Sequence, residues 1–419
     1  MAAAPDALVL RATKLRTGSA CALKCIFCPA LAARGAASPQ APRTYPKEAY
    51  IAFVEPFILS HVLHEAVVPL LGTVACPNGL TDSTAPPLVE RTAPATTASL
   101  PQKQHQQRRW FPSSSTFYAI ELPWFARDLQ NAAATGRVGA SDAAAIATQL
   151  FSALAYLHRR GVVHRAVAPW NIRLAGACSV VLAGFSAACT PDGDAAFVPP
   201  LPAVPASHWA PEQHAPGTAP HSAAEWARCD VWAAACVVAE LLVGTRGCPL
   251  FCPRLLRAMV LGHDHLTQLL ERRPGLRARY PITACLRAAQ AAEASAPAVA
   301  AAAARAPAAA EQQSRRALEA PVVVDEEALC QLVGCRTGGS EQALEVARVV
   351  VRALAVEPRA RPSAEAVVEQ LAGLGGAALA RQPWCADSKH KGRSVPEWTP
   401  ISFVALHRFA VRHCGFLFK

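Results

Sequence analysis

Three cysteines near the N-terminus, Cys21, Cys25 and Cys28, stand at x3 and x2 spacing in CALKCIFC. Three thiolates presented by a loop at that spacing could ligate a [4Fe–4S] cluster and leave one iron open. On a strand the same residues would behave differently. Cys21 and Cys25 would share a face and Cys28 would oppose them, so the three thiols could not converge. We read CALKCIF as a strand and its cysteines as small apolar residues. A second stretch with chemical potential is Lys103 to Arg109 with Trp110, which mixes bases with an aromatic, although Gln dominates it. Salt-sensitive binding to a nucleic acid or a membrane surface would be its signature.

The chain that must position such groups has 419 residues, 52% of them hydrophobic and 17% charged, with a net charge of +11. That length holds a domain of about 250–300 residues plus insertions. Ala and Pro inflate the hydrophobic share without adding much core. The basic balance would suit an acidic partner, anionic lipid or nucleic acid, but the arginines are scattered in sequence and read as a solvated surface. The 15 cysteines form no small-domain framework and no secretory signal opens the chain, so free thiols and a cytoplasmic location are expected. The most apolar run, Val231 to Gly244, contains Glu240 and is too short to span a bilayer, so it reads as a buried helix. The N-terminal 25 residues are Arg-bearing and acid-poor, as transit peptides are, but they fit a strand pair better.

LVLRAT, a Thr17-Gly18 turn and CALKCIF predict a β-hairpin. Pro46 to Leu63 has a helical period, Val67 to Val74 is strand-like, and FYAIEL at 117–122 is a strand. Residues 75–115 are rich in Pro, Thr, Ser and Gln without a period, which predicts a disordered insertion. Ser141 to Arg160 is the clearest helix, with Ser141 as the expected N-cap and Ile146, Leu150, Leu154 and Leu157 as one apolar stripe. Short strands around Asn171–Leu174 and Val180–Leu182 follow, then a Pro-rich loop from Thr190 to Pro205. Ala288 to Ala320 is Ala-rich and low in complexity. Ala343 to Ala355 and Ser363 to Leu371 are the last helices, and 376–419 is a tail.

This order of elements resembles a protein kinase, and seven motifs carry the resemblance in family order over roughly residues 8–372. CALKC places Lys24 where the phosphate-pairing lysine sits. EPFILSHVLHEAVVPLLG resembles the helix that brings Glu55 to that lysine and the strand after it, with Leu59 at an internal spine position. LFSALAYLHRRGVVHRAVAPWNI resembles the helix and catalytic loop, and VVLAGFS the strand entering the metal-binding triplet. WAPE, DVWAAACVVAELLVG and RARPSAEAVVEQL complete the set. The resemblance implies an α+β, two-lobed fold. The small β-rich N-lobe, truncated at its start, would span 1–122 with its insertion at about 75–115. The larger, mainly helical C-lobe would span 123–375 with an insertion at about 288–320, and the tail 376–419.

The departures decide the expected function. The family's catalytic loop carries an Asp that accepts the substrate hydroxyl proton and an Asn that holds a metal ion. Here Ala166 stands in place of the Asp, and Ala168 in place of a lysine that steadies the transferred phosphate. Gly184 opens the metal-binding triplet Gly184-Phe185-Ser186 and supplies no carboxylate for Mg²⁺. Asn171 persists, but a lone amide is a poor ligand for a hard dication. The Gly-rich phosphate loop has no counterpart before Lys24, and Arg173 occupies the position that floors the adenine.

The resemblance thus implies that Lys24, Glu55 and Asn171 are a vestigial nucleotide site. His164, Phe185, Glu212, Asp230 and Arg361 keep architectural roles: spine, loop support and a buried C-lobe ion pair. The expected function is a catalytically inactive pseudokinase that scaffolds or allosterically binds another protein, such as an active kinase or its substrate, with no cofactor. Nucleic acid and membrane spanning are not expected. A divergent ATP-dependent Ser/Thr kinase using ATP and Mg²⁺ is the alternative. A radical S-adenosylmethionine enzyme, which the cysteine spacing resembles, is a remote one.

Overall fold

The computed structural model describes residues 7–15, 17–27, 53–76, 117–176, 178–190, 206–214, 220, 222–289, 321–374, 406, 408, 409 and 412. The chain divides into two compact units. One comprises Met1–Ala126, Ala183–Ala203 and Asp387–Lys419, the other Arg127–Leu182 and Val204–Ala386.

In the first unit, β1 (Ala7–Thr13) and β2 (Ala20–Phe27) form the hairpin that the Thr-Gly signal predicts, in antiparallel register from Ala7↔Ile26 to Thr13↔Ala20. Gly18 turns the chain at φ +67, where a Cβ would be strained. The helix α1 (Val54–His61) follows; the earlier part of the predicted helical stretch lies outside the described residues. Next come β3 (Gly72–Cys76) and β4 (Phe117–Pro123), and the sheet order is β1-β2-β4-β3. The strand expected from Val67 starts only at Gly72. Pro69 cannot donate to a ladder, and Val67 to Leu70 are buried without forming a strand.

The second unit is helical around two long helices. It opens with α2 (Leu129–Ala134), capped by Asp128. Helix α3 (Ala143–Arg159) carries the predicted stripe, with Ile146, Leu150, Leu154 and Leu157 all buried. Ser141 does not cap it. A 3-10 turn at Ala140–Asp142 runs straight into the helix, and the Asp142 carboxylate accepts the Gly139 N–H at 2.9 Å. The short ribbon β5 (Ile172–Leu174) and β6 (Val180–Leu182) follows. Helix α4 (Ala223–Val243), capped by Ser222, is buried at every residue from Cys229 to Val243. A helix buried all round is the centre of a domain rather than its surface.

Helices α5 (Pro253–Leu261), α6 (His263–Arg272) and α7 (Gly275–Arg279) come next. Strands β7 (Leu286–Ala288) and β8 (Val322–Val324) pair across residues 290–320, which lie outside the described set. Helices α8 (Glu326–Thr337), α9 (Glu341–Ala353) and α10 (Ala364–Gly373) close the unit, with α10 packed on α3 and α9 on α4. No described helix is long and apolar enough to cross a membrane.

Candidate active site

Lys24 and Glu55 meet in the first unit. Strand β2 holds Lys24 between Val9 and Ile120, and the first turn of α1 carries Glu55. The Lys24 ammonium pairs with Glu55 Oε2, and the Phe185 N–H donates to Glu55 Oε1 at 3.3 Å. One carboxylate therefore ties together a strand, a helix and the Gly184-Phe185-Ser186 turn. Glu55 is 2% exposed and Lys24 15%. Burial makes the two halves of this pair unequal. Lys24 can reach water through its long stem if its partner is lost, whereas Glu55 cannot. Lys24→Met should therefore cost about 3 kcal/mol, the scale for orphaning a buried charge, and Glu55→Gln distinctly less. Denaturant unfolding of the two variants checks this, and equal or negligible losses would mean that the pair does not form in solution.

The two cysteines on the same strand, Cys21 and Cys25, are buried. Four residues of strand separate them by about 13 Å, too far for one cluster, and Cys28 lies outside the described residues.

Gly184 has φ +81 and ψ +50, a left-handed conformation that glycine adopts without strain. Phe185 and, on α1, Leu59 are both buried, and α1 packs on the turn that Phe185 opens.

The catalytic-loop residues lie in the second unit, and Asp230 organises them. It is buried near the start of α4. Its Oδ2 accepts the His164 N–H at 2.7 Å, and its Oδ1 accepts the Arg165 N–H at 2.8 Å. His158 Nε2 lies 3.1 Å from Oδ2. Arg165 is held at φ +62, and its guanidinium stacks over Trp226 at 4.4 Å. A non-glycine residue in that region stores strain, and the Asp230 hydrogen bond compensates it. Neither His158 nor Trp226 is visible as a loop partner in sequence, since His158 lies six residues before the loop and Trp226 about one helical turn before Asp230 in α4.

The Ala166 N–H contacts His164 Nδ1 at 3.3 Å. The Asn171 side-chain amide donates to the Ala166 carbonyl at 2.7 Å, and only its Oδ1 is left to face a cation. Ala168 is 2% exposed. Ala166 and Ala168 line a cavity of about 20 Å³ with Trp170, His208, Trp209 and Asp230; that is room for about one water. Methyl groups stand where this loop could have offered a base and a cation.

Arg173 does not project as a free cation. It lies 3.6 Å from Asp128 and is 37% exposed. Ile172 beside it is buried, and Leu174 is half-buried where the chain bends at Ala175 and Gly176.

Glu212 and Arg361 form a two-pronged ion pair, Nη1 to Oε1 and Nη2 to Oε2, both at 2.7 Å. Arg361 also donates to the carbonyls of Ala355 and Val356 and stacks on Trp232 at 5.0 Å. The Cys229 thiol donates to Glu212 at 3.2 Å. Burial above all, reinforced by the Glu212 charge, pushes that thiol well above its ordinary value, so it stays protonated and unreactive.

Residues 114–371, well over half of the chain, match the protein kinase domain family. The chain belongs to the protein kinase family. Its sequence is 26% identical over 159 residues to mitogen-activated protein kinase 12 of Danio rerio, covering 37% of each chain. It is 23% identical over 159 residues to mitogen-activated protein kinase 12 of Homo sapiens, covering 37% of this chain and 36% of that one. The chain thus spans little more than a third of the curated relatives it matches. The kinase-family span includes Asp230, Glu212 and Arg361 but not Lys24 or Glu55, whose assignment rests on the pairing geometry alone.

Proposed function

We propose that this kinase-family protein is a pseudokinase, which binds another protein and does not transfer phosphate. The observation that carries the reading is the alanine at 166 in a loop whose backbone is fully supported. Asp230, His158 and Asn171 fix the loop, yet the side chain at the reacting position is a methyl group. Phosphoryl transfer is catalysed almost wholly by positioning and charge, so losing the base is not offset by a well-formed loop. The residues present do not fit Mg²⁺ either. Gly184 has no carboxylate, and the one remaining amide oxygen of Asn171 is a weak ligand for a hard cation.

The surface charge supports an acidic partner. Arg254, Arg257, Arg272, Arg273, Arg277 and Arg279 on α5–α7 are all exposed, with only Asp264 and Glu271 among them. These arginines are close in sequence, on or beside three consecutive helices. Complementary charge of this kind raises association rates and weakens with salt.

A thermal-shift titration with ATP, with and without Mg²⁺ or Mn²⁺, tests the nucleotide half of the reading. A ligand at 100 times its dissociation constant stabilises by about 2.7 kcal/mol, which is readily seen. The expected result is no saturable, metal-dependent shift. Such a shift would mean that the Lys24–Glu55 pair still serves a bound nucleotide.

A further inference from the structure

Strand β1 lies at one edge of its sheet, with β2 on its inner side and no strand on its outer side among the described residues. The hairpin fixes which backbone groups point outward. The Lys14 N–H donates to the Ser19 carbonyl at 2.9 Å, so Lys14 faces β2. The hydrogen-bonding groups of a strand change sides at every residue. Ala12, Leu10 and Leu8 therefore also face β2, while Thr13, Arg11, Val9 and Ala7 present their N–H and C=O outward. Such a row is a template for another strand, and edges are ordinarily blunted by charge, proline or a bulge. β1 has no proline and pairs with β2 in unbroken register. Its one charge, Arg11, lies over the Trp124 ring at 5.6 Å, and Lys14 just beyond the strand is drawn to Glu121. Val9 is 52% exposed and Leu15, in the turn, 84%; Leu63 is the only other exposed large apolar residue among those described.

We infer that β1 pairs with the β1 of a second copy of this chain, antiparallel about a two-fold axis at Leu10, so that two four-stranded sheets become one. Such an axis, perpendicular to the sheet, keeps the faces matched only if a residue lies on it. Centred on Leu10, the strands overlap along their whole length, with Val9 opposite Arg11 and Ala7 opposite Thr13 of the second copy. Every outward N–H and C=O of β1 then finds a partner. Centred on Arg11, like charges would stand directly opposite, which is destabilising. Centred on Val9, Thr13 would lose its partner. A second copy thus supplies an apolar strand of matching length, with no like charges set against each other. The inference does not rest on the loss of phosphate transfer.

Sedimentation equilibrium of the full chain tests it. One strand pair buries less than the roughly 1,200 Å² at which standard interfaces begin, so a reversible dimer is expected. The mass should rise from 44.2 kDa toward twice that value with increasing protein concentration. Val9→Pro removes an outward donor and spares the bonds to β2, so it should stay monomeric while the β2 amides keep their protection from exchange. Leu10→Cys gives a second reading that does not need the proline variant to fold. Leu10 would face its own mate at a non-hydrogen-bonded site, with Cα atoms about 4.5 Å apart, within disulfide reach. Mild oxidation should cross-link Leu10→Cys beyond the background of the unaltered chain, whose Cys248 and Cys335 are exposed. Leu8→Cys, about 13 Å from its mate, should not exceed that background. A chain monomeric at every concentration, a dimer that survives Val9→Pro, or equal cross-linking of Leu8→Cys and Leu10→Cys would overturn the inference. A monomer whose β1 amides are protected only by an added strand-forming peptide would assign the edge to a foreign strand, and overturns it too.

Discussion

Arg361→Ala should destabilise the helical unit more than any other single surface-neutral change, by about 3–5 kcal/mol, the cost of leaving one partner of a buried pair alone. In a unit of this size that corresponds to a fall in melting temperature of roughly 6–20 °C. The reason is the number of groups that Arg361 satisfies. Its fork holds both oxygens of Glu212, reaches the carbonyls of Ala355 and Val356, and lies over Trp232. The side chain is 0% exposed, so no water can substitute for it. Arg361→Lys should recover little, because an ammonium cannot make the two-pronged contact. Glu212→Gln should cost less than Arg361→Ala only by what the carbonyls of Ala355 and Val356 still supply, because it leaves the Arg361 charge, 0% exposed, without its carboxylate. Differential scanning calorimetry of the three variants ranks them, and a neutral Arg361→Ala would show that the fork does not form.

The second large effect concerns what cannot be regained. The Ala166→Asp/Gly184→Asp variant should remain at background in phosphoryl transfer. Each charge-stabilising element of such a site is commonly worth about 10²–10³ in rate, and elements that act as a unit are not recovered piecemeal. The variant would regain a base and one metal ligand. It would not regain the lysine absent at Ala168, and Ala168 is buried at 2% exposure, so a long cation there would force its neighbours apart. Asp at 184 must also adopt φ +81, at a strain of about 1–2 kcal/mol. Transfer of labelled phosphate well above background by the double variant would show that the phosphate site survives intact.

Much of the site was legible because its residues lie within short motifs whose spacing is set by one turn or one strand. Lys24 in CALKC, the His164 to Asn171 loop and the Asp230 helix are of this kind, and so is the apolar stripe of α3, whose period is local. What was hidden depends on contacts between distant segments. His158 supports Asp230 only because α3 and α4 pack side by side. The ring that meets Phe57 edge-on, Phe409, lies some 350 positions later in the chain. The pairing of β7 with β8 spans the Ala-rich stretch, so neither three-residue strand carries a period of its own. Local signals also misled where two competed. Val67 to Leu70 have strand composition but Pro69 removes a donor, and Ser141 is a good cap residue displaced by the turn that Asp142 closes.

The central claim is the absence of phosphoryl transfer, and it is measured most directly by incubating the purified, unaltered chain with γ-labelled ATP, Mg²⁺ or Mn²⁺ and a generic protein substrate. The account predicts incorporation into neither the substrate nor the chain itself beyond that of a Lys24→Ala control. Incorporation that rises with time and enzyme concentration, and that Lys24→Ala abolishes, would contradict it and make this chain an active kinase.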